Sequence, residues 1–105
     1  MNTRVVNLAC QLRPAGVVAE ELAVAGTVVS PAALDGKVSH CLVSVKTKAV
    51  HATFDGTDPA SAGAGIYLPV TSAPMVWSRW MVGAAKFIEA ASGQAGVVRI
   101  EPMSE

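Results

Sequence analysis

The chain has 105 residues, which is enough for one domain with a single modest core. Its eight basic residues are balanced by eight acidic residues and form no basic run, so it lacks the electrostatic footprint of a nucleic-acid-binding protein. No segment approaches the roughly 20 consecutive apolar residues that a membrane-spanning helix needs. Only 15% of the residues are charged, against about a quarter in a typical domain, and this favours a protein that packs against other proteins.

The two cysteines, Cys10 and Cys41, bear on where the chain is made. The apolar stretch at the N-terminus is broken by Asn7 and Gln11 and is too short for a secretory signal. We therefore expect synthesis in a reducing cytoplasm with both thiols free. A disulfide between the two cysteines is the alternative, which the sequence does not decide.

The first half of the chain alternates apolar and polar residues with a period of two, which is typical of strands. A first strand is predicted over Val6–Leu12, before a turn at 13–16. Further strands are predicted around Leu22–Val28, with Gly26 as a weak point, and around Cys41–Val45 and Val50–Phe54. The odd spacing between Val45 and Val50 indicates a tight turn or a bulge between the last two.

The second half predicts short strands over 66–69, 75–80 and 96–101. Residues 80–84 are predicted as a short helical turn that Ser78 could cap. A strand follows this turn, and Ser92-Gly93-Gln94-Ala95 is predicted as a hairpin turn into the last strand.

These elements predict an all-β fold, a small β-sandwich or jelly-roll-like barrel of about seven to eight short strands with one short helical turn. We expect one domain over 1–105. In it, residues 38–101 form the core and residues 1–30 can add an N-terminal strand or arm.

The stretch HATFDGTDPASAGAG, residues 51–65, is the most distinctive in the chain. A calcium loop that starts at Asp55 would place Pro59 and Ile66 at ligand positions, so this interpretation fails. A phosphate loop fails as well, because no lysine follows Gly65. The residue types instead favour a strand end, two turns at Asp55-Gly56 and Asp58-Pro59, and a close crossing made by small residues.

His40, Cys41, His51 and Asp55 are the side chains that could build a zinc site. They lack the paired spacing of such sites, so no metal or other cofactor is predicted. His40 and Cys41 should point to opposite faces of a strand, which argues against a Cys–His nucleophile. The sequence shows no catalytic motif, although a site assembled from distant residues stays open.

Trp77, Arg79, Trp80 and Met81 form the densest group of residue types that are enriched at protein interfaces. Two interpretations stay open for the tryptophans. At least one contributes to an interface, or alternation buries one ring in the core while the other covers an edge.

Residues 41–68 resemble a domain of small tailed-phage and prophage proteins, in which a strand of the form A-V-R-x-x-x-D-G-T-x-P-T-A leads to a glycine and a short apolar strand. The resemblance covers about 38–101. It includes a closing segment from Ala85-Lys86-Phe87-Ile88 to Val97-Val98, and its central pieces are Ala49-Val50, Asp55-Gly56-Thr57, Pro59-Ala60, Gly65 and Leu68. This chain departs from the pattern at His51, where arginine is common, and at the longer step 61–64.

The resemblance implies a non-enzymatic structural protein of the phage virion, made in the host cytoplasm. A capsid decoration (cement) protein is the first expectation, working as a homo-oligomer that contacts the major capsid protein or other virion proteins. Its Val6–Leu12 strand, with Val6, Leu8 and Leu12, is the candidate for pairing with an adjacent chain. Alternatives are a tail, head–tail or fibre adaptor, and a ligand-binding barrel or enzyme whose pocket would join His40, His51, Asp55 and Tyr67.

Overall fold

Strands dominate the computed structural model, which describes residues 12–60 and 64–104. The predicted interface residues Val6 and Leu8 lie outside the described residues. The described elements are β1 Arg13–Pro14, β2 Glu20–Val24, β3 His40–Lys46, β4 Val50–Thr53, β5 Ile66–Leu68, β6 Met75–Ser78, α1 Arg79–Ala84, β7 Lys86–Glu89 and β8 Gly96–Ser104.

The larger sheet is built around β8, the long C-terminal strand. One edge of β8 pairs antiparallel with β3, from His40↔Met103 to Lys46↔Val97. Its other edge is shared by β1 and β2, which pair with successive parts of it. β6 pairs with the far edge of β3 and completes a five-stranded antiparallel sheet.

The smaller sheet has three strands in the order β5-β4-β7. The segment 25–29, which leaves β2, runs along the outer edge of β7. There Val29 and Phe87 exchange backbone hydrogen bonds of 2.9 and 2.8 Å, and the Glu89 amide donates to the Ala25 carbonyl at 2.9 Å. This segment therefore links the two sheets and covers one side of the molecule.

The inward faces of both sheets form one core. In β3 every second residue is buried, and Cys41, Val43 and Val45 are fully enclosed. They pack in one cluster with residues of the smaller sheet, among them Val50, Ala52 and Phe87. Full burial of an aliphatic or aromatic side chain contributes about 1.5–3 kcal/mol. The all-β fold of two antiparallel sheets with one short helix is thus confirmed.

Several local predictions are confirmed. Ser78 caps α1, since its Oγ accepts a hydrogen bond from the Met81 amide at 3.3 Å. The predicted tight turn between Val45 and Val50 is present, and it explains the odd spacing of the buried residues there. In it, Thr47 has a φ of 76° and the Lys48 amide donates to the Lys46 carbonyl at 2.9 Å.

Other local predictions are wrong. Residues 92–95 do not form a hairpin, because β7 pairs with β4 while β8 belongs to the other sheet. Arg13 and Pro14, predicted in a turn, pair with Ser104 and Met103. The strand predicted over 75–80 ends at Ser78, since the helix cap redirects the chain there. In the described ranges, no helix has both the length and the apolar character to span a bilayer.

Candidate functional site

The loop after β4 uses its acidic side chain to hold its own backbone. Asp55 accepts hydrogen bonds from the Thr57 amide at 3.1 Å and from the Thr57 hydroxyl at 2.6 Å. Between them Gly56 has a φ of 89°, a conformation that favours glycine. The Asp55 carboxylate is therefore engaged in a turn, as the residue types predicted.

Lys86 and Gly65 fix the rest of this loop. The Lys86 ammonium binds the Gly56 carbonyl at 3.1 Å and the Asp58 carboxylate at 3.0 Å. Gly65 has a φ of 123°, and a Cβ there would lie 3.1 Å from the Ala52 carbonyl oxygen. The close crossing predicted from the small residues is present at Gly65, while residues 61–63 of the same stretch lie outside the described residues.

The bonds between Asp55 and Thr57 predict a specific pH response. They lower the pKa of Asp55, chiefly through the Thr57 hydroxyl and next through the Thr57 amide. Because the pKa is lower in the folded chain than in the unfolded chain, this contribution is complete at neutral pH and disappears as the pH falls through the folded value. We expect the Thr57 amide resonance, followed by NMR, to titrate with a midpoint below that of an ordinary aspartate.

Thr57→Val is the matched variant for this titration. It removes the hydroxyl and keeps the amide, so the midpoint should rise towards the ordinary aspartate value. A midpoint in the unmodified chain at or above the ordinary value would contradict the turn described here.

The four side chains of the ligand-binding alternative do not meet. His51 and Tyr67 face each other across β4 and β5, with ring centroids 5.9 Å apart. His51 Nδ1 donates to the Ala60 carbonyl at 2.9 Å, while His40 lies in the other sheet beside Ser39. Four grooves on the described surface each contain at most one of the four residues.

The Cys41 thiol and the candidate metal ligands are placed apart in the described part of the chain. Cys41 is buried and free, and burial raises its pKa, with the charge of Arg79 acting in the opposite direction. A raised pKa disfavours the nucleophilic thiolate. His40 and Cys41 lie on opposite faces of β3, as alternation predicted. Among the described residues, no three His, Cys, Asp or Glu side chains come together as metal ligands.

The predicted interface group separates into buried and exposed members. Trp77 is only 5% exposed, so it belongs to the core and not to a surface, and Leu12 is buried as well. Trp80 is 83% exposed and Met81 is 39% exposed. The second interpretation of the tryptophan pair is therefore confirmed for Trp77.

Arg79 connects α1 to the loop before β3. Its guanidinium Nη1 donates to the carbonyls of Asp35 at 3.3 Å, Gly36 at 3.4 Å and Val38. Because the Arg79 guanidinium binds backbone carbonyls of the same chain, this residue anchors the helix that carries Trp80.

A groove of about 460 Å³ lies between α1 and the loop 31–34. We call it the Trp80 groove; it is lined by residues 31–34, Arg79, Trp80 and Gly83. Glu20 fixes the loop side, since its carboxylate accepts from the Ala32 amide at 3.1 Å. The sequence over 30–37, closed by Asp35-Gly36, indicates only a loop. The uncharged run Pro31-Ala32-Ala33-Leu34 was the signal that could have revealed this wall.

Comparisons with protein-family models, with curated proteins and with solved structures found no match to this chain.

Proposed function

We propose that this chain is a non-enzymatic structural protein of a phage virion that decorates and stabilises the assembled capsid shell. The observation that carries the proposal is the Trp80 groove, a fixed surface with an exposed tryptophan at its rim. Tryptophan is strongly enriched among the residues that dominate binding energy at protein interfaces. The resemblance of residues 41–68 supports the virion setting, and the all-β fold agrees with it.

The groove suits rigid docking against a partner protein. Arg79 and Glu20 hold its two walls through hydrogen bonds to the backbone, so little conformational freedom is lost when a partner binds. The small residues Ala32, Ala33 and Gly83 leave room beside Trp80 for an apolar side chain of a coat subunit. A protein that binds only the assembled shell stabilises that state by mass action.

Purified virions provide the first test. Tailed-phage particles released by the strain that encodes this chain should contain it when their proteins are measured by mass spectrometry. Copy number on the order of hundreds supports decoration, whereas about six or twelve copies support a ring at the head–tail junction or tail. Absence of the chain from the particles would overturn the virion proposal.

Trp80→Ala is expected to weaken binding to the shell by about 30-fold or more, the effect of losing a strong interface residue. The measurement is co-sedimentation of the purified protein with shells that lack it. Val18→Ala is the matched control, because Val18 is 91% exposed and lies outside the Trp80 groove. Unchanged affinity of Trp80→Ala would show that the shell is bound through another surface.

A further inference from the structure

The two lateral sides of the sandwich differ in how their strand edges are covered. On one side, residues 25–29 bond to the outer edge of β7. On the other side lie β5 and β6, the consecutive edge strands of the two sheets. No other described strand pairs with the outer edge of either, so both edges offer backbone groups for a further strand.

The chain segment that forms the open side is uncharged. Residues 59–78, which include β5 and β6, contain no Asp, Glu, Lys or Arg. Three apolar side chains of this run are well exposed, with Ile66 at 56%, Tyr67 at 60% and Val70 at 52%. Proteins usually protect such edges with charged side chains, because an apolar edge adds strands from other chains.

β5 is held in a fixed position. It pairs with β4 from Val50↔Leu68 to Ala52↔Ile66. The tight contact of Gly65 with Ala52 sets the point where the strand begins. An edge that is already extended and anchored needs little ordering before it accepts another strand.

We propose that this edge binds a second copy of the chain, with β5 of each protomer paired antiparallel around a two-fold axis at Tyr67. An isologous contact brings each residue against the same segment of the partner. Because this segment is uncharged, it can pair with its own copy without placing like charges opposite each other. The two smaller sheets, each of three strands, would join into one continuous sheet across the dimer. The contact uses neither α1 nor Trp80, so it stands independently of the virion proposal.

Ile66→Lys tests the pairing by placing a lysine on the edge of each protomer. We expect the unmodified chain to sediment as a dimer whose dissociation depends on concentration. The variant should raise the dimer Kd by more than about tenfold. Val18→Lys is the matched control, because Val18 is 91% exposed and lies outside β5; it should leave the dimer intact. Far-UV circular dichroism checks that both variants keep the strand signal.

Tyr67→Cys in a Cys10→Ser background tests the register. Oxidation should then give a disulfide-linked dimer, while Val18→Cys in the same background stays uncrosslinked; Cys41 is buried in both. A monomeric unmodified chain at every concentration, a dimer that Ile66→Lys leaves unchanged, or absence of the Tyr67→Cys crosslink would each overturn the proposal. These measurements use the isolated chain, so their failure is separate from absence of the protein from virions.

Discussion

Replacing Trp77 with alanine is expected to lower the free energy of unfolding by about 3–5 kcal/mol, the range for large aromatic side chains in protein cores. Trp77 is 5% exposed and lies in β6 of the larger sheet. Its ring stacks on Phe87 of the smaller sheet, with centroids 6.1 Å apart, and meets Phe54 edge-on at 5.2 Å. Removing it opens a cavity between the sheets, because the backbones on either side cannot close the gap.

Trp80→Ala is the matched control, since it is the same substitution three residues along the chain. Trp80 is 83% exposed, so its removal should change stability by no more than about 0.5 kcal/mol. Urea denaturation followed by far-UV circular dichroism measures both. If Trp77→Ala fails to fold, Trp77→Phe keeps most of the contact area and should show a smaller loss in the same assay. Equal effects of Trp77→Ala and Trp80→Ala would contradict the packing described here.

The tryptophan pair shows which structural features local sequence patterns can predict and which they cannot. Alternation predicts that one of the two tryptophans lies in the core, and Ser78 is predicted as a cap for a short helical turn. Both features depend on neighbouring residues alone, so they could be recognised without knowing the fold. Which ring would stay exposed depended on what packs over α1, and the pattern alone could not decide it.

The wrong hairpin at 92–95 has a non-local cause. Ser92-Gly93 is a turn sequence, and Gly93 does have a φ of 75°. A turn of this kind fits a hairpin or a crossing between sheets equally well. The turn does not determine which strand pairs with β7. Phe87 and Ile88 of β7 are both buried, and they pair with residues of β4. Local residue preferences determine that the chain turns here, whereas packing of the whole core determines which strands pair.

The same distinction applies to the functional surfaces. The bonds between Asp55 and Thr57 follow from residue types a few positions apart, and the sequence predicted that turn. The Trp80 groove joins residues 31–34 to α1, and the open β5 edge results from the order of the strands. Both surfaces exist only because distant segments meet, so the uncharged runs 31–34 and 59–78 could mark one part of each surface but not the segment it meets.

Gly96→Ala is expected to destabilise the protein by about 1–3 kcal/mol, the usual cost of forcing an extra methyl group into a packed interior. Gly96 is buried at the start of β8, opposite Val24. A Cβ there would overlap the Lys48 carbonyl oxygen and lie 3.2 Å from Cγ1 of Val50. Lys48 belongs to the tight turn between β3 and β4. Its carbonyl can therefore move only if this turn, which connects the two sheets, moves with it.

Gly83→Ala is the control that separates this clash from the general effect of adding a methyl group. Gly83 lies inside α1, and a Cβ there would meet nothing within 4 Å. The substitution should stabilise the protein by up to about 1 kcal/mol, because alanine favours the helix over glycine. The same urea denaturation measures both variants, and opposite signs are expected. If Gly96→Ala leaves the free energy of unfolding unchanged, the β3–β4 turn can shift away from the added methyl group at no cost. The close approach of Gly96 to the Lys48 carbonyl would then not limit the position of that turn.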